Sequence, residues 1–104
     1  MQLAVQHYEN AIAGLEKVAE DGKTVLSPET TAVLAKSNAI LDQAVSESQA
    51  ALRTQPTSDV ARASLFEALQ RKVALLRDTV SLINEMRKGD PAGAARAAGQ
   101  LGKS

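Results

Sequence analysis

Four breakpoints constrain this chain more than any other feature. Gly22, Pro28, Pro56 and the run Gly89-Asp90-Pro91 divide it into three stretches, and inside each one apolar residues recur three or four positions apart, the spacing of a single helix face. Helices are the consequence. The expected fold is all-α: an antiparallel three-helix bundle with two long helices over residues 3–90, then a flexible C-terminal tail at 91–104. At 104 residues the chain is one domain, too short to enclose two separate cores.

Local chemistry marks the ends of each helix. The first, about 3–20, carries Tyr8, Ile12, Leu15 and Ala19 at spacings of four, three and four, with Val18 widening the face. Asp21-Gly22 stops it, on the expectation that Gly22 takes the left-handed conformation open to glycine. A short connection, Lys23 to Leu26, follows. In Ser27-Pro28-Glu29-Thr30, Ser27 caps free amides, Pro28 suits the first helical position and Glu29 complements the positive helix end. This second helix, 28–54, has an apolar stripe of Val33, Leu34, Ile40, Leu41, Ala44, Val45, Ala51 and Leu52. Pro56 breaks the pattern, with Ser58 or Asp59 as the next cap.

The third helix, 59–88, presents Leu65, Phe66, Leu69, Val73, Leu76, Val80, Ile83 and Met86 on one face, and pairs Glu67 with Arg71 at i, i+4. Two long helices joined by a short turn lie antiparallel, and the first helix docks along their groove. Beyond it, residues 91–104 offer only Leu101 as a large apolar side chain, among five alanines and three glycines. Such a segment buries little. The triplet Asn-Ala-Ile occurs at 10–12 and at 38–40, too short a match to define a repeat.

Composition narrows the function. Hydrophobic residues are 44% of the chain, but 19 are alanine and only Tyr8 and Phe66 are aromatic. Little remains to line a deep pocket. Twelve basic residues balance twelve acidic ones, which removes the long-range field that draws basic proteins to nucleic acid or anionic lipid. The balance is uneven along the chain, four basic against seven acidic in residues 1–55 and eight against five in 56–104. Pairing between early and late helices is expected. Without cysteine there is no disulfide framework, thiol nucleophile or thiolate metal site. No signal-peptide core follows Met1 and no run approaches the ~20 apolar residues of a membrane span. Membrane insertion by the chain itself is not expected.

No motif names a reaction. His7, the only histidine, sits near the start of the first helix, where nothing holds it as a general base. Its i+2 neighbour Glu9 points elsewhere on a helix, so it makes no metal pair. Glu16 and Glu20 share a face at i, i+4, but Lys17 and Asp21 beside them mark a solvated charged surface. Arg71, Lys72, Arg77, Arg87 and Lys88 are spread over the third helix without interleaved aromatics, and read as solvated cations. The expectation is therefore no catalytic residue, no cofactor, no metal and no nucleic-acid partner. On the second helix, Ser37, Asn38, Asp42, Ser46, Glu47 and Ser48 form a polar set that faces water or receives a partner peptide in a groove.

The order and spacing of these helical residues resemble a known family. Ser27-Pro28-Glu29-Thr30-Thr31-Ala32-Val33-Leu34, then Ala39 through Glu47, Ala51-Leu52 with Pro56, and Leu65, Leu69 and Lys72 through Leu76, preceded by Tyr8, Ala11-Ile12 and Leu15-Glu16, resemble the helical domain that follows the membrane span in zinc-finger-type bacterial anti-sigma factors. The likeness covers residues 8–77. It implies a helical sensory or interaction domain on the periplasmic or extracytoplasmic side of the membrane, with the sigma-binding zinc finger and the span outside this chain. The matched positions are helix-packing residues, so no functional site transfers with them. The functional expectation is a non-enzymatic regulatory domain working through a protein partner or a second copy of itself. The alternative is a free-standing cytoplasmic adaptor of tetratricopeptide-like type, which the absence of a 34-residue period disfavours.

Overall fold

The computed structural model describes residues 2–89. Within them the chain is all-helical: α1 (Gln2–Gly22), a single 3-10 turn (Lys23–Val25), α2 (Pro28–Thr54) and α3 (Asp59–Lys88). The tail expected at 91–104 lies outside the described residues.

Helix ends follow short-range hydrogen bonding. Ser27 is extended, and its Oγ accepts from the Thr30 amide at 3.1 Å while Pro28 occupies the first turn. Ser58 repeats the device, accepting from the Ala61 amide at 3.1 Å. Between them Gln55 closes α2 through its amide to the Ala51 carbonyl, and the Ser58 amide returns to the Gln55 carbonyl. Gly89, at φ 70°, ends α3 in the left-handed conformation, and Arg87 and Lys88 complement the negative helix end.

Gly22 departs from expectation. Its φ of −102° and ψ of −5° are right-handed, so left-handed freedom is not what the position needs. Its need is space: a Cβ there would lie 2.6 Å from Ile83 Cγ2 and 3.1 Å from Ile83 Cδ1, and Ile83 is fully buried. Gly14, on the same helix, has nothing within 4 Å of its added Cβ. The two glycines should therefore respond with opposite signs. Gly14→Ala is expected to raise stability by about 0.5–1 kcal/mol through helix propensity. Gly22→Ala gains the same term but overpacks Ile83, for a net loss of about 1 kcal/mol. Urea titration of both variants checks this, and equal gains would refute the close approach.

The helix that organises the rest is α3. Residues Ala61, Leu65, Ala68, Lys72, Leu75, Thr79 and Leu82 are all buried and recur at spacings of four and three. Beside this seam runs a second of the same spacing, Phe66, Leu69, Val73, Leu76, Val80 and Ile83, buried or half-buried throughout. The first meets α2 through Lys72 and Asp42. The second meets α1: the Tyr8 and Phe66 rings are 6.1 Å apart, Gln70 Nε2 donates to Tyr8 Oη at 3.0 Å, and Ile83 abuts Gly22. Ile12, Leu65, Leu69, Val73 and Leu76 form the core, with Val5, Tyr8, Leu15, Val45 and Leu52 packed around it. These contacts are consistent with an antiparallel three-helix arrangement.

Several apolar positions fall differently from the expected stripes. Val33 and Ile40 on α2 are 59% and 60% exposed, and Ala51 is also exposed. Val18 and Met86 are 46% and 44% exposed. The covered side of α2 is Leu34, Leu41, Val45, Ser48 and Leu52, one step around the helix.

Candidate interaction surface

Lys72 lies midway along the first α3 seam and is only 8% exposed. Its Nζ donates to Asp42 Oδ1 and lies 3.6 Å from Glu16 Oε2, joining all three helices. This corrects the reading of Lys72 as a solvated cation. Its four methylenes fill the seam while the amine reaches the carboxylates at the rim. Glu16 keeps its place on an exposed charged surface, its side chain 46% exposed, while also facing Lys72 across a helix boundary. The polar set on α2 also divides: Asp42 holds Lys72, Asn38 donates to Asp42 over a long 3.5 Å, Ser48 is buried, and Ser46 and Glu47 are exposed.

The other ion pairs are local. Glu20 with Lys23, Asp59 with Arg62, Glu67 with Arg71 and Glu85 with Lys88 each join residues three or four apart. Such exposed pairs contribute little. Among the ion pairs of the described residues, those of Lys72 join the early helices to the late one.

His7 is exposed, and among the described residues no three His, Cys, Asp or Glu side chains gather as a metal site. Among the described residues no helix is long and apolar enough to cross a membrane. Open clefts lie between the helices, one of about 260 Å³ where Leu26, Leu34, Leu75 and Thr79 meet and one of about 630 Å³ beside Val5, Leu52, Arg53 and Leu65.

The outer face of α2 is different. Val33, Lys36, Ile40, Gln43, Glu47 and Ala50 follow one another at alternating spacings of three and four, and all are exposed. They form a straight helix face with two large aliphatic side chains that no other described element covers. The apolar stripe read from the sequence merged two neighbouring faces, one turned to the core and one turned away. Its width was the available signal, because eight apolar positions on α2 exceed the arc one packed neighbour can cover.

The described residues form an all-helical domain in which one face of α2 is left uncovered by any described element. No family model, curated protein or solved structure matches the chain.

Proposed function

We propose that the chain is a non-enzymatic regulatory module, an antiparallel three-helix bundle that works by protein contact through the outer face of α2. The observation that carries this is the exposure of Val33 and Ile40 at about 60% each on a helix otherwise well anchored to α3. Burying large aliphatic side chains is the strongest attraction a charge-balanced surface can offer a partner. With the resemblance over residues 8–77, the reading becomes the extracytoplasmic domain of an anti-sigma factor-like single-pass membrane protein. There, occupation of α2 would be relayed through the anchor to the sigma-binding part.

The native reading frame and a transcription reporter test this together. The expected frame places about 20 apolar residues and a Cys/His cluster ahead of this domain. Ile40→Glu in the full protein should then change sigma-dependent reporter output several-fold at unchanged protein level. A frame without span or cluster overturns the membrane-regulator reading. An unchanged reporter overturns the role of α2.

A further inference from the structure

Resting on that reading of α2, we infer that the occupant of its outer face is a second copy of this chain, paired α2 to α2 in antiparallel orientation. The charges carry the inference. Along the exposed face they run Glu29, Lys36 and Glu47. Laid antiparallel about a two-fold axis between Leu41 and Asp42, Lys36 of each copy meets Glu47 of the other. The contact occurs twice, as an isologous interface requires.

The same axis places Val33 against Ala50 and Ile40 against Gln43, the alternate layering of an antiparallel two-helix seam. It also falls half a residue from the midpoint of Pro28–Thr54, so the helices overlap almost end to end. Parallel pairing fails on the same residues, because Glu29, Lys36 and Glu47 would each face their own copy. Like charges so placed are repulsive.

Both charges of that contact are also unspent. Among the described residues neither Lys36 nor Glu47 has an ion-pair partner within the chain, whereas Lys72, Arg71 and Lys23 are all paired. Glu47 accepts a hydrogen bond from Gln43 Nε2 at 3.0 Å, which orients it on the outer face. A single helix-on-helix seam with two large aliphatic residues per copy is a small interface, so the dimer is weak and forms reversibly. Polar residues within such a seam set orientation at a cost in affinity.

Sedimentation equilibrium from micromolar to millimolar concentration tests the inference. The mass should rise from one chain towards two in the native protein and stay at one in Ile40→Glu, with circular dichroism unchanged because Ile40 is outside the core. Lys36→Glu or Glu47→Lys alone should weaken association about tenfold, two attractive contacts having become repulsive. The double variant, Lys36→Glu with Glu47→Lys, should recover it. One chain at every concentration overturns the self-pairing. So does association that survives Ile40→Glu, or double reversal without recovery. A monomer whose reporter still responds to Ile40→Glu would separate the two ideas, sinking the dimer and leaving contact with a different protein.

Discussion

Leu69→Ala should cost about 3–4 kcal/mol, enough to leave little of the ~5–10 kcal/mol expected for a folded chain of this size. Leu69 is 2% exposed and sits in the core with Ile12, Leu65, Val73 and Leu76. Truncation removes its buried methyl groups and leaves a cavity that two helices would have to shift to fill. Ile40→Ala removes as much aliphatic surface from a residue 60% exposed, and at dilute concentration should change stability by no more than about 0.5 kcal/mol. Urea unfolding of the two variants, followed by circular dichroism, compares them directly. Equal midpoint shifts would mean that α2 is rotated about its axis relative to the packing described above.

The second large effect is an asymmetry at Lys72. Asp42→Ala should cost about 2–3 kcal/mol, because the Lys72 amine then stays in the seam with only Glu16, 3.6 Å away, to compensate it. Lys72→Met should cost almost nothing or stabilise the fold. Its stem remains buried, while Asp42 and Glu16, with side chains 52% and 46% exposed, are left hydrated at the rim. A buried charge without its partner is expensive, and a carboxylate facing water is not. Thermal melts of both variants measure the difference, and a larger loss in Lys72→Met than in Asp42→Ala would contradict the placement of the amine. Glu16→Ala, which breaks the longer of the two contacts, should fall between them.

Much of the helical layout was legible before any tertiary structure. Both Ser27 and Ser58 cap as their residue types suggest, α2 and α3 begin and end at the expected positions, and the Glu67–Arg71 pair forms at 2.7 Å. The first helix is longer than expected by a residue or two at each end and tightens into a 3-10 turn. Half of the buried surface of α3 was harder to see. One seam is rich in large aliphatics and stands out, but the other consists of Ala61, Leu65, Ala68, Lys72, Leu75, Thr79 and Leu82. Its small and polar members carry little hydrophobic signal. The candidate interaction surface was hidden by the opposite problem, since Val33 and Ile40 carry strong signal and lie outside the core.

Gly22 shows the same division within one residue. Its presence at the end of α1 was informative, yet the cause lies in Ile83, sixty-one positions away. Helix limits depend on caps, prolines and hydrogen bonds made within about four residues, and that range is written in local order along the chain. Coverage of a helix face depends on which distant segments lie beside it. Because α3 is flanked by both other helices it buries Lys72 and Thr79 along with its leucines, and because no described element covers the outer side of α2, two of its large aliphatic residues remain in water.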